Sequence, residues 1–289
     1  MKVLILGASG MLGHMLFSEL FRRDFDVYGT LRKHVPYRKD WQGRLLAGVD
    51  AFDFKSVVSA IDIVESDVIV NAIGLIRHLP EGREPLQCIK INAEFPHLLL
   101  KVCRERSIRL IHYSTDCVFD GHAGRPYTEV DRPTATDIYG LTKFIGEVSE
   151  SPALTIRTSI IGPELRGKHS LLEWFLSQRD RVRGFTGAIY TGLPTSEHAR
   201  LLADIVLPHA DLHGLYHVVS TPISKFDLLK IIGLVYDKPI VIDPDGTIQE
   251  DKSLSGDAFR IKTGYVAPSW PTMISFMHDV HAQNIFDWS

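Results

Sequence analysis

The sequence predicts an α/β fold: a doubly wound parallel sheet over residues 1–160, followed by a smaller C-terminal α+β lobe over residues 161–289 that is partly interleaved with it. Three observations carry that reading. Strand-length apolar runs alternate with helical patterns through the first half, as right-handed crossovers between parallel strands require. A glycine turn joins the first run to the first helix. Beyond Ile161 the alternation loosens into connections rich in Gly, Pro and charge. A Rossmann sheet with an irregular second lobe accounts for all three.

Residues 3–6 are continuously apolar, the pattern of a strand buried on both faces. Met11, Leu12, Met15, Leu16, Phe17 and Leu20 then recur at helical spacing, and residues 26–29 begin a second strand. Residues 45–49, 68–71, 108–113 and 154–158 read as further buried strands, separated by helices over 55–64, 86–106 and 139–149. In the second half, helices are expected at 171–178, 197–207, 225–235 and 272–281, with a strand near 215–219.

Composition narrows the function. The chain has 289 residues, 45% hydrophobic and 23% charged, which is globular rather than disordered. Lys plus Arg number 32 against 35 Asp plus Glu, so no positive surplus exists to neutralise nucleic acid or coat an anionic membrane. No apolar run approaches the ~20 residues of a membrane span. Gly7, Gly10 and Gly13 interrupt the N-terminal apolar stretch and Glu19, Arg22 and Arg23 follow, which argues against a signal peptide. Cys88, Cys103 and Cys117 are an odd count without close pairing, so neither a disulfide framework nor structural zinc is expected, and the cytoplasm is the expected compartment.

Gly7-Ala8-Ser9-Gly10-Met11-Leu12-Gly13 is a GxxGxxG turn between a strand and a helix. Missing side chains let the backbone approach a pyrophosphate, whose charge the helix N-terminus then meets. Gly7, Ser9, Gly10, Met11, Leu12 and Gly13 are therefore dinucleotide-binding candidates. The second strand ends Tyr28-Gly29-Thr30-Leu31-Arg32-Lys33, without the acid that would accept hydrogen bonds from an adenosine 2′-hydroxyl. Arg32, helped by Thr30 and Lys33, suits a 2′-phosphate, so NADPH is expected over NADH. Asp50 is placed for the adenine amine, and Asn71, Ala72 and Gly74 end the fourth strand where the cofactor crosses the sheet.

Tyr139 and Lys143, four apart, share one helical face. A free phenol is a reluctant acid-base at neutral pH, and a neighbouring ammonium favours its phenolate. Lys143 also suits the nicotinamide-ribose hydroxyls, leaving Tyr139 to exchange a proton with a substrate oxygen. Ser114 and Thr115, ending another strand, supply hydroxyls to polarise that oxygen. His112 and His122 flank that strand end without partners at metal-ligand spacing, so no metal is assigned. Arg166, Lys168, Arg179, Arg181 and Arg183 either reach a nucleoside diphosphate or form a solvated face, and Arg260 is equally ambiguous.

The chain resembles the extended short-chain dehydrogenase/reductases, specifically the dTDP-4-dehydrorhamnose reductase family. The matching blocks are Gly7 to Gly13; Tyr113-Ser114-Thr115-Asp116 with Val118-Phe119-Asp120-Gly121; Pro126-Tyr127-Thr128-Glu129; Tyr139-Gly140-Leu141-Thr142-Lys143 with Gly146-Glu147; and Arg157-Thr158-Ser159. The resemblance implies NAD(P)H-dependent reduction of a nucleoside-diphosphate-linked 4-keto-6-deoxy sugar, with Thr115, Tyr139 and Lys143 as catalytic triad and Asp116 on a substrate hydroxyl. Cys117 departs from the tyrosine usual there. It falls where the related GDP-fucose synthase family, which epimerises before reducing, has an acid-base cysteine. That family also has a histidine beyond a Gly-Pro turn, and His169 lies beyond Gly162-Pro163. Cys117 and His169 are read first as substrate contacts, with an epimerase-reductase as alternative. Relatives serving as non-catalytic NADP-binding regulatory subunits are a second alternative, and a homodimer is the assembly considered.

Overall fold

The computed structural model describes residues 1–34, 37–76 and 80–282. β1 (Lys2–Leu6) feeds the glycine turn and α1 (Met11–Arg22); β2 (Asp26–Leu31), β3 (Leu45–Ala47), α2 (Phe54–Val64) and β4 (Val68–Asn71) follow. Next come α3 (Pro85–Cys88), a π-helical stretch (Ile89–Glu94), α4 (Phe95–Glu105), β5 (Arg109–Thr115), α5 (Ile138–Ile145) and β6 (Ala153–Thr158). The second half contains β7 (Ile160–Ile161), α6 (Leu171–Ser177), β8 (Arg181–Tyr190), β9 (Leu193–Pro194), α7 (Thr195–Leu201) and β10 (Gly214–His217). β11 (Ile223–Ser224), α8 (Lys225–Val235), β12 (Val241–Asp251), α9 (Asp257–Thr263) and α10 (Trp270–Ala282) complete it.

Seven strands form one sheet in the order β10-β6-β5-β4-β1-β2-β3, and every neighbouring pair is parallel. The order reverses between β1 and β4, opening a crevice at the carboxyl ends of the strands, where doubly wound sheets bind ligands. Strand side chains alternate between two cores. Val3, Ile5, Val70, Ile111 and Leu154 face a core completed by α1, α7 and α10. Leu4, Leu6, Ile69, Leu110 and Ala153 face the core under α2 and α4. Burial on both faces explains the continuous apolar runs, and at ~25 cal/mol per Å² these side chains supply the main force holding the sheet.

β10 is drawn from beyond residue 160 yet forms an edge of this sheet. A second sheet, β11-β8-β12, carries the wall opposite the strand ends, and β7 pairs with β9. Two expectations need correction. The helix expected over 86–106 runs on continuously but widens into a π-helical stretch at Ile89–Glu94, where Asn92 turns inward to hydrogen-bond Leu75. The long strands β8 and β12 are not among the expected strands, because Arg181, Arg183, Asp243, Pro244 and Asp245 mask their alternation. Among the described residues no helix is long and apolar enough to cross a membrane.

Candidate active site

A cavity of about 1240 Å³ lies along the carboxyl edge of the large sheet. Its cofactor-facing side is built by the glycine turn. Gly7 has φ +81°, and a Cβ on Gly13 would stand 2.1 Å from the Gly7 carbonyl oxygen, so only glycine permits this crossing of turn and helix. Gly10 caps α1 without any side-chain hydrogen bond. The first-turn N–H groups are thus left to the cavity, where Ser9, Gly10, Met11 and Leu12 form the lining. A bare helix N-terminus fits the diphosphate of a dinucleotide.

Exposed Arg32 and Lys33 line the same cavity at the end of β2. Thr30 is buried, and its hydroxyl accepts from the Gly7 amide at 3.1 Å, so it steadies the turn from behind. Ala72 and Gly74 line the cavity, whereas Gly7, Gly13, Asp50 and Asn71 are not part of its lining. The Asn71 side chain accepts from the Ile73 amide at 3.1 Å and contacts His112 at 3.0 Å. The Asp50 carboxylate accepts from the Phe52 amide at 3.0 Å.

The chemical side is set by α5 and β5. Asp137 caps α5 by accepting from the Gly140 amide at 3.0 Å, and the helix ends at Gly146, where a Cβ would collide with the Asn92 carbonyl oxygen. This short helix presents half-buried Tyr139 and buried Lys143 to the cavity. Lys143 Nζ donates to the Tyr113 carbonyl at 2.7 Å. Burial pulls its ammonium down to about 8, with Glu147 pulling the other way. At the end of β5, Thr115 Oγ1 accepts from the Cys117 amide at 3.1 Å and donates to Asp116 at 3.2 Å. Burial raises the Asp116 carboxyl, while Lys252 and Lys225 oppose that rise. Ser114 also lines the cavity, and its hydroxyl donates to Glu147 at 2.7 Å.

Cys117 and exposed His169 also line the cavity, and the His169 amide donates to Glu164 at 3.0 Å. Of the basic residues beyond 160 that the sequence singles out, Arg166 and Arg183 reach the lining. Arg181 pairs with Asp243, and exposed Arg260 pairs with Asp257. Among the lining residues that sequence reasoning missed are His14, Tyr190, Lys225 and Lys252. His14 is buried against the Gly10 carbonyl at 2.9 Å, and burial lowers it to about 4, so the ring is neutral at pH 7. Its position inside an apolar helix pattern gave no chemical signal. The other three come from β8, α8 and the residue after β12, and their approach depends on tertiary packing.

Residues 1–236 match the family model described as RmlD substrate binding domain. A probable low-salt glycan biosynthesis reductase of Haloferax volcanii is 30% identical over 231 residues, covering 76% of this chain and 75% of the relative. The dTDP-4-dehydrorhamnose reductase of Escherichia coli is 28% identical over 232 residues, covering 76% and 73%. Among solved structures, dTDP-4-dehydrorhamnose reductase of Bacillus anthracis in complex with NADP superposes with a TM-score of 0.78 at 20% identity, covering 96% of this chain and 98% of that one, a likeness of fold.

Proposed function

The chain belongs to the RmlD substrate binding domain family, and from that premise we propose that it is an NAD(P)H-dependent reductase of a nucleoside-diphosphate-linked 4-keto-6-deoxy sugar, with NADPH preferred. One observation carries the reading: a single cavity gathers the bare N-terminus of α1, the basic end of β2, and Thr115, Tyr139 and Lys143. The dTDP-4-dehydrorhamnose reductases among its relatives and the NADP held by the Bacillus anthracis structure support it.

Residues 1–160 serve the cofactor and residues 161–289 the sugar nucleotide. The turn from Gly7 to Gly13 receives the diphosphate, with Ser9, Gly10, Met11 and Leu12 in contact. Arg32 takes the 2′-phosphate, while Thr30, Asp50 and Asn71 hold the loops that Ala72, Gly74 and Arg32 depend on. When bound, NADPH supplies a hydride to the sugar carbonyl carbon. Tyr139 gives a proton to the carbonyl oxygen, Lys143 stabilises the phenolate left behind and holds the nicotinamide ribose, and Thr115 hydrogen-bonds the oxygen as charge develops there. Asp116, Cys117 and His169 contact the sugar nucleotide. A homodimer is supported by exposed Leu86, Ile89, Phe144 and Ile145 along α3, the start of the π-helical stretch and α5. The test follows loss of reduced-nicotinamide absorbance with a panel of nucleotide-linked 4-keto sugars. Consumption of NADPH by at least one, dependent on Tyr139, supports the proposal; consumption by none refutes it.

A further inference from the structure

We propose that Glu147 and Arg157 are positioning residues that lock the helix bearing Tyr139 and Lys143 to the strand bearing Thr115. The inference rests on the reductase reading above. Three sequence blocks meet at this point: 114–116, 146–147 and 157–159. Arg157 Nε and Nη2 each donate to the Glu147 carboxylate at 2.6 Å, and Ser114 Oγ donates to its Oε1 at 2.7 Å. Both ionic side chains are about 95% buried. The guanidinium stacks over the Phe119 ring at 5.2 Å, and its Nη1 lies 3.3 Å from His217 Nε2. Burial and the Arg157 charge lower His217 to about 3, so its neutral ring can accept that hydrogen bond. The His217 amide in turn donates to Glu129 at 2.9 Å.

A buried ion pair is a poor source of stability, since apolar residues of equal volume often serve as well. Its distinctive property is geometry: a planar guanidinium and a carboxylate joined by two parallel hydrogen bonds admit little sliding. Here that fork fixes the segment just past α5 to β6, and Ser114 ties the same carboxylate to β5, one residue before Thr115. Lys143 stands one helical turn before Glu147. A slip at the fork therefore displaces Tyr139 and Lys143 relative to Thr115, and a ~1 Å misplacement costs about 10²-fold in rate.

The groups facing Lys143 are His112 and the Tyr113 carbonyl from β5, Tyr139 on its own helix, and Glu147 beyond it, with Arg157 and His217 behind Glu147. Glu147 is the carboxylate that raises Lys143 against the effect of burial. Glu147→Gln leaves the Arg157 charge buried and unpaired, so it is made alongside Glu147→Gln/Arg157→Gln, which retains amide hydrogen bonding without a buried charge. Expected for the folded variants is a kcat loss of about 10²-fold with the KM for NADPH within about twofold. The titration of Lys143, followed by NMR of 13Cε-lysine in the intact protein, should move to lower pH. A folded double variant with wild-type kcat and an unmoved Lys143 titration would overturn the proposal. Should the wild type consume no NADPH with any 4-keto sugar nucleotide, the reductase reading fails, and the Lys143 titration still decides the role of Glu147.

Discussion

A buried ammonium one helical turn from a half-buried phenol sets the chemistry at the scale of single residues. Tyr139→Phe keeps the ring and its packing but removes the proton, so turnover should fall at least ~10²-fold while NADPH binding survives. Near-normal turnover would remove Tyr139 from the mechanism. Arg32→Ala should weaken NADPH by about ten- to a hundredfold and NADH far less, because only NADPH carries the 2′-phosphate; fluorescence titration with both cofactors reads the difference. Cys117→Ser should retain most reductase activity, and turnover in D₂O should leave no deuterium at sugar C3 or C5. Carbon-bound deuterium abolished by Cys117→Ser would favour epimerisation. The Tyr-x-x-x-Lys spacing and the glycine turn were legible because their partners are local in sequence. The tie of Ser114 to Glu147 was not legible, because the two lie 33 residues apart. The available hint was Arg157, the one charge inside a fully buried strand, which demands a buried counter-charge.

At the scale of elements, α1 is held to β1 through a contact that one methyl group would destroy. Gly13→Ala places a carbon 2.1 Å from backbone oxygen, so the helix must shift away from the turn. Overpacking of this kind costs about 1–3 kcal/mol, and both the melting temperature and NADPH affinity should fall. Gly246→Ala is the control: the nearest atom to its Cβ, Thr186 Oγ1, is 3.7 Å away, and both properties should stay near wild type. The strands of the large sheet were readable because burial on both faces leaves uninterrupted apolar runs. β8 and β12 were not, since salt bridges such as Arg181–Asp243 and Arg183–Asp245 place charge along paired strands. The π-helical stretch within the 86–106 helix had no local signal either. It follows from Asn92 clamping the backbone of Leu75, a contact between distant segments.

For the whole molecule, buried histidines make stability depend on acid. Burial lowers His14 to about 4 and His198 and His217 to about 3, and it holds His112 well below its ordinary value. Unfolding frees each ring to bind a proton below about pH 6.5. The unfolded state therefore gains protons as pH falls, and stability present above pH 6.5 is lost on the way to about pH 4. Each fully suppressed ring contributes a slope of about 1.4 kcal/mol per pH unit in that window. Buried Asp116 and Glu197, raised by desolvation, offset part of this with opposite sign. Urea midpoints should decline steadily from pH 7 to 5, and a flat profile would show that the rings are protonated in the folded state.

The central claim is that one cavity brings a reduced nicotinamide and a nucleotide-linked keto sugar together for direct transfer, and its most direct test is isotopic. The protein is mixed with NADPH carrying deuterium at both positions of nicotinamide C4 and with a dTDP-4-keto-6-deoxyhexose, and the product sugar is examined by NMR and mass spectrometry. The account predicts one deuterium per product, bound to sugar C4, with stoichiometric oxidation of the cofactor and about 10²-fold slower transfer in Tyr139→Phe. Product lacking deuterium at C4, or no product while NADPH remains bound, would contradict it.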